Sequence, residues 1–267
     1  MTYALRLSQE ERARYRLMAE MAHAGEVAEW ATAGIAAGAR VADIGCGPGA
    51  MLRVLAETVG PDGRADGVDS HPGAVAAAQE EITGLPQASV RVGQATDSGL
   101  EPDAYDAVMC RHVLAHNGGK EAAIVAHLAT LTRPGGAVFL VDIDGAAIRL
   151  HPEDPDLTDL NQRYHELHRA RGNDLTVGVK LGWLIEQAGL TVEAFRGGGP
   201  MLRVPPFLRP PSWAARDALV AAGLADADDL ARWEAAFQRA DQLVERPWMS
   251  VASFVAVGRV PVSSPAG

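Results

Sequence analysis

Cysteine is nearly absent: two in 267 residues, Cys46 and Cys110, neither in C-x-x-C spacing. That excludes a disulfide framework and a cysteine-rich zinc site. Positive charge is also short, with 24 Lys and Arg against 34 Asp and Glu and a formal net charge of −10. Such a balance argues against a phosphate-neutralising surface, and so against a nucleic-acid partner. Aromatics make up 5% of the chain, but 48% of residues are hydrophobic, so a sizeable core is available and wholesale disorder is excluded. No apolar run approaches the ~18–20 residues that span a bilayer, and MTYALRLSQEERARYR at the N-terminus lacks an apolar signal core. The expectation is a cytoplasmic, soluble protein with no membrane association, a monomer or homodimer. No internal repeat or low-complexity segment is present, and the length suits one large domain or one domain with a substantial insertion.

What is present is a regular alternation. Ser8 and Glu11 form an S-x-x-E capping box opening a helical pattern that runs to about Trp30. Strands are expected at 41–45, 65–69, 89–94, 105–110 and 137–142, separated by helices at about 48–59, 72–83 and 119–131. Pro48 and Pro72 stand at helix starts, where a missing N–H costs little, and 60-GPDGRA-65 and 133-RPGG-136 are turns. Strands alternating with helices imply right-handed crossovers and a doubly wound α/β fold, a mostly parallel sheet covered on both faces. Beyond residue 145 the rhythm changes: helices at 155–170 and 176–188, a strand at 190–196, helices near 212–222 and 226–245, and a final strand at 250–260. The two late helical blocks read as lid insertions over one edge of the sheet, and Pro205-Pro206-Phe207 as a rigid connector within them.

The most specific stretch is 41-VADIGCGPGA-50. Gly45, Gly47 and Ala50 satisfy G-x-G-x-x-[GA], a turn that lets backbone approach a ligand at the start of the next helix. Asp69 closes the second strand 20 residues after Gly49, where a carboxylate can take both hydroxyls of a ribose; its bland alternative is a helix N-cap, which Ser70 could also supply. Asp43 separates ligand classes. A carboxylate beside the turn disfavours a pyrophosphate and favours a ligand carrying an ammonium and a sulfonium. S-adenosylmethionine has both, with a ribose and an adenine.

At this point the sequence resembles the class I S-adenosylmethionine-dependent methyltransferases, whose first motif is an apolar strand ending D-x-G-x-G-x-G, matched by Asp43 through Gly49. The resemblance spans about residues 38–145 and the final strand. It implies a Rossmann-like, seven-stranded single methyltransferase domain: an N-terminal helical cap at 1–38, a cofactor core at 39–145, acceptor-side helices at 146–249 and the last strand at 250–260. It also implies that Asp43, Gly45, Gly47, Asp69 and Ser70 hold the cofactor. Gln94 and Ala95 stand at the family's G-D-A adenine position, with an amide in place of the carboxylate, and the backbone near Arg111 meets the methionine moiety. 171-RGNDLTVGVKLGWLIEQAGL-190 is similar to a segment common among members acting on small molecules, so a small-molecule acceptor is expected, methylated on O, N or C.

An oxygen acceptor needs a proton removed, and histidine is the base suited to neutral pH. His112 and His116, just past strand four, are the catalytic candidates by position; His151, His165 and His168 lie on the insertion. Tyr15, Tyr164, Arg171 and Asn173 could shape the acceptor site, with packing the plainer role for Tyr15, Trp183 and Trp233. No His/Asp cluster has ligand spacing, so no metal is expected. Alternatives are a protein or nucleic-acid methyltransferase, a relative that binds the cofactor but performs other chemistry such as cyclisation, and a nicotinamide oxidoreductase.

Overall fold

The computed structural model describes residues 9–199, 201–205 and 209–262. Ser8 of the expected capping box and Pro206-Phe207 of the proline connector lie outside them. The N-terminal helical pattern is two helices, α1 (Gln9–Gly25) and α2 (Val27–Ala33). The break falls at Gly25-Glu26, where Glu26 leaves helical geometry at φ −121° and ψ 14°.

The sheet contains β1 (Arg40–Ile44), β2 (Arg64–Asp69), β3 (Ala88–Val92), β4 (Tyr105–Arg111), β5 (Thr132–His151), β6 (Thr191–Gly198), β7 (Met201–Arg203) and β8 (Trp248–Arg259). Seven strands follow the order β3-β2-β1-β4-β5-β8-β6, and the three-residue β7 pairs with the far end of β8 as an eighth. Pairs among β1 to β5 are parallel, and β8 is antiparallel to β5, β6 and β7. The turn read at 133–136 is absorbed into β5, which continues past 142 to His151. Its outer part pairs with β8 from Trp248 to Ser250.

Helices α3 (Ala50–Val59), α4 (Pro72–Glu81), α5 (Glu121–Leu131) and α7 (Leu181–Gln187) cover the sheet. One face buries Trp30, Leu52, Leu55, Val59 and Phe139; the other buries Leu114, Ile124, Leu128, Leu140, Leu184 and Ile185. Strands β1, β4 and β5 are apolar on both faces because both are covered, as a parallel sheet requires.

A third apolar group lies apart from both. Helix α6 (Pro155–Ala170) packs on α8 (Pro211–Ala214), α9 (Arg216–Ala221) and α10 (Ala227–Gln242), burying Leu160, Leu167, Leu219, Trp233 and Phe237. Trp233 therefore packs as expected, whereas Trp183 is 56% exposed and does not. Among the described residues, no helix is long and apolar enough to cross a membrane.

Candidate functional site

Parallel strands in register bring their C-terminal ends into one row. Asp43 and Ile44 of β1 lie opposite Gly67 and Val68 of β2, and opposite Met109 and Cys110 of β4. Gly45 therefore emerges between Asp69 and Arg111. Asp69 is paired with Val92, so Gly93 and Gln94 follow on its far side, and Arg111 is paired with Val141, so His112 lies beside Asp142. β1 and β4 are neighbours although not consecutive, which makes this row the switch point where open α/β sheets hold ligands.

The glycine turn folds back onto β2. Gly45 N–H and Cys46 N–H both donate to Val68 O (2.7 and 3.0 Å), and Gly47 N–H donates to Asp69 Oδ2 at 2.9 Å. Gly45, Gly47 and Gly49 all have positive φ, and a side chain at Gly45 would collide with Val113. Three donors that a phosphate-binding turn would present are thus already committed. Cys46 is buried against Gly67 and its thiol is pushed well up by burial, consistent with a packing role.

Asp69 also accepts from His71 N–H at 2.8 Å. The carboxylate holds two backbone donors and retains acceptor capacity on both oxygens for further hydroxyls. Neither Asp69 nor Ser70 is the N-cap of α4; His71 is, its Nδ1 accepting from Ala74 N–H at 3.3 Å. Ala74 is the third residue of the helix, the usual reach of a capping side chain, and Pro72 at the first position has no N–H to satisfy. Ser70 is exposed at the end of β2, and the backbone of exposed Gln94 pairs with that of Asp97, fixing the turn that carries Ala95.

Asp43 is 2% exposed and its Oδ2 has no hydrogen-bond partner. Burial pushes its carboxyl up to about 7, opposed by Arg111 and reinforced by Asp69. Arg111 is engaged elsewhere, donating at 2.6 Å to Glu26, itself buried at the α1–α2 break. Asp43 thus has one cation, Arg111, and one further carboxylate, Asp69, acting on it, and that cation is already paired with Glu26. The arrangement is short of positive charge, and Asp43 Oδ2 lacks a donor; a ligand with a cationic, N–H-bearing head supplies both. S-adenosylmethionine fits these residues, whereas a pyrophosphate meets committed donors and excess negative charge.

The histidine candidates separate. His112 adopts φ +53°, donates its N–H to Val141 O at 2.8 Å and sets Nδ1 3.9 Å from Oδ1 of the fully buried Asp142. The His116 ring packs on His168 at 5.0 Å, and His168 packs edge-on against Tyr164 at 4.5 Å. Burial lowers His116, with Asp142 opposing, and burial with His116 and Arg171 nearby pushes His168 down to about 4. Burial, then Tyr15, pushes Tyr164 up to about 12, with Arg171 opposing. Asn173 Nδ2 lies 3.1 Å from His168 Nδ1, and a side chain at Gly118 would meet Gly172 O, so α6 is seated on the loop after β4. Tyr164, His168, Asn173 and His116 are thus one neutral, hydrogen-bonding wall beside His112. His165 lies against Gly145 and His151 is exposed at the outer end of β5, so neither joins it.

Glu26 and Asp142 were not singled out in the sequence. Asp142 ends the apolar run AVFLVD as Asp69 ends ADGVD, a signal that could have found it. Nothing in the sequence marks Glu26 as Arg111's partner. Among the described residues, no group of three His, Cys, Asp or Glu is placed to hold a metal.

Residues 41–136 match the family model described as "Methyltransferase domain". Aklanonic acid methyltransferase DauC from Streptomyces sp. (strain C5) is 43% identical over 74 residues, 27% of this chain and 34% of that protein. Nocamycin O-methyltransferase from Saccharothrix syringae is 35% identical over 105 residues, 39% and 37% of the two chains. The chain spans less than half the length of the curated relatives it matches. A chain of the complex between the Haloferax volcanii Trm112 methyltransferase activator and a methyltransferase superposes with TM-score 0.59 at 19% identity, covering 95% of this chain and 96% of that one. The [4+2]-cyclase SpnF superposes with TM-score 0.55 at 16% identity, covering 96% and 85%. With the seven-strand order and the motif at 43–49, the match gives residues 41–136 as a methyltransferase domain on a Rossmann-like sheet, similar to the class I S-adenosylmethionine-dependent methyltransferases.

Proposed function

We propose that the protein binds S-adenosylmethionine at the C-terminal ends of β1 to β4 and transfers its methyl group to O, N or C of a small-molecule acceptor beside His112. The observation that carries this reading is Asp43: a buried carboxylate with an unpartnered oxygen next to a glycine turn whose first donors are committed. In this reading Asp69 accepts the ribose hydroxyls, Gln94 and Ala95 meet the adenine, and Asp43, Gly45, Gly47 and the backbone at Arg111 receive the methionine end. Ser70, exposed at the mouth, lies beside the ribose. The cofactor supplies an electrophilic methyl on a sulfonium. The chain's contribution is alignment and exclusion of water, which convert a bimolecular displacement into an oriented one.

The acceptor side supports a small molecule. Tyr164, His168 and Asn173 pack together against the loop after β4, which suits a small acceptor held beside His112. The curated relatives reported above are named for small-molecule methylations.

Calorimetric titration with S-adenosylmethionine, S-adenosylhomocysteine and NAD tests the cofactor. Micromolar binding of the first two without NAD is expected; binding of NAD alone would overturn the reading. A cyclase shares this fold, so binding and turnover are measured separately. Cofactor affinity without S-adenosylhomocysteine release across an acceptor screen would favour non-methylating chemistry.

A further inference from the structure

We infer that Asp142 is a positioning residue that turns His112 into a general base, and that the methylated atom is consequently an acidic hydroxyl oxygen, a phenol or enol. This rests on the methyl-transfer reading above. Asp142 ends the apolar part of β5 and is 0% exposed. Its carboxylate accepts Ala115 N–H at 3.1 Å on Oδ2 and its neighbour Ile143 N–H at 3.0 Å on Oδ1. Neither donor carries a full charge, so the buried carboxylate keeps an unmet demand for a cation. The nearest imidazole is that of His112, with Nδ1 3.9 Å from Oδ1; His116 also feels the Asp142 charge, from farther off.

His112 is held for this. Its main chain adopts the left-handed conformation at φ +53°, which costs a non-glycine residue energy and is sustained by surrounding contacts. One of those contacts runs to β5 itself, from His112 N–H to Val141 O, so the backbone is anchored to one residue of that strand while the imidazole faces the next. A proton carried on Nδ1, towards Asp142, would leave the Nε2 lone pair free for an acceptor. His112 keeps 39% of its side chain exposed, whereas His116 is packed on His168 and lowered by burial, which leaves it a wall residue.

The step balances without another reactant. The acceptor hydroxyl gives its proton to His112 Nε2 as its oxygen forms a bond to the methyl carbon, and the sulfur–methyl electron pair returns to sulfur. The resulting imidazolium faces the Asp142 carboxylate, which stabilises it, and the proton passes to water after product leaves. Imidazole is matched to a hydroxyl of phenolic or enolic acidity; an alkanol is too weak an acid, and a neutral amine needs no base.

Imidazole ¹⁵N spectra of the full chain test the arrangement, with His112→Asn identifying the signal, since asparagine tolerates left-handed backbone. His112 is expected as the Nδ1–H tautomer in the wild type and as mainly the Nε2–H tautomer in Asp142→Asn. A wild-type His112 protonated on Nε2 alone would overturn the inference without any variant. In turnover with a phenolic acceptor, Asp142→Asn should lower kcat by roughly 10²–10⁴-fold while the Kd for S-adenosylmethionine is unchanged. A loss confined to KM, or equal turnover of an amine acceptor that is lost in parallel, would also overturn it. If S-adenosylmethionine does not bind at all, the methyl-transfer reading fails while the tautomer result still stands.

Discussion

Asp43 shows at the residue scale how a site can oppose the stability of its own fold. Its carboxyl is raised from 3.8 to about 7, so the folded chain holds the proton more tightly than the unfolded chain. The stabilisation this group contributes is fully present below about pH 4 and is lost as pH rises through about 7. The expected consequence is a cofactor-free protein whose melting temperature falls across that window as it loses stability on the order of a few kcal/mol by pH 8. Asp43→Asn should flatten the fall and raise stability at pH 8. It should also weaken S-adenosylmethionine binding at least about tenfold, because a charged partner of the ammonium is lost. Binding should release protons near neutral pH, read as a dependence of the calorimetric heat on buffer ionisation enthalpy. A melting temperature flat from pH 4 to 8, with no proton release, would show that Asp43 is ionised without a ligand.

Single elements divide by how local their determinants are. Strands β1, β2 and β4 and helix α6 were legible within a residue or two, because each is a compact apolar or amphipathic run, and β1, β2 and α6 also follow closely on Gly or open at Pro. The outer half of β5 was not: Asp144, Gly145 and Arg149 break its alternation, and its extended form comes from pairing with β8, nearly a hundred residues on. The break at Glu26 escaped because helical spacing continues through it; Gly25 was its local signal, and the partner of Glu26 on β4 was not legible. At the site, the glycine turn, Asp43, Asp69 and the histidines were readable as residue types in order. What was not readable is which histidine faces a carboxylate, a matter of strand register.

Helix α6 bears Tyr164 and His168 on one side and packs Leu160 and Leu167 into the third apolar group on the other. Trp233 fills that group at 0% exposure, and its Nε1–H donates to Asp159 on α6 at 3.0 Å. Trp233→Ala should cost about 3–5 kcal/mol locally, through lost burial and a cavity. Hydrogen exchange in α6 and α10 should accelerate while β1, β2 and β4 keep their protection. Acceptor turnover should fall with cofactor affinity intact. Equal loss of protection in the sheet would mean that this helical group is not a separate unit.

The whole molecule is a sheet buried on two faces, with the proposed cofactor site at its strand ends, and a helical group with its own core, meeting where Gly118 passes Gly172. A ligand seated on the strand ends stabilises what it touches. At a hundredfold excess over its Kd, S-adenosylmethionine should add about 2.7 kcal/mol. For a chain of this size that corresponds to a rise of about 5–10 °C in the transition of the sheet. The third apolar group contributes no residue to the proposed cofactor site, so a separate melting of α6 and α8 to α10 should shift little, unless the acceptor is also bound. Differential scanning calorimetry with and without S-adenosylmethionine distinguishes the arrangements. One transition that moves as a whole means that the contact at Gly118 makes the two parts cooperative, so that cofactor and acceptor sites are energetically linked. Two transitions, one shifted, mean that the acceptor side closes only when its own ligand arrives.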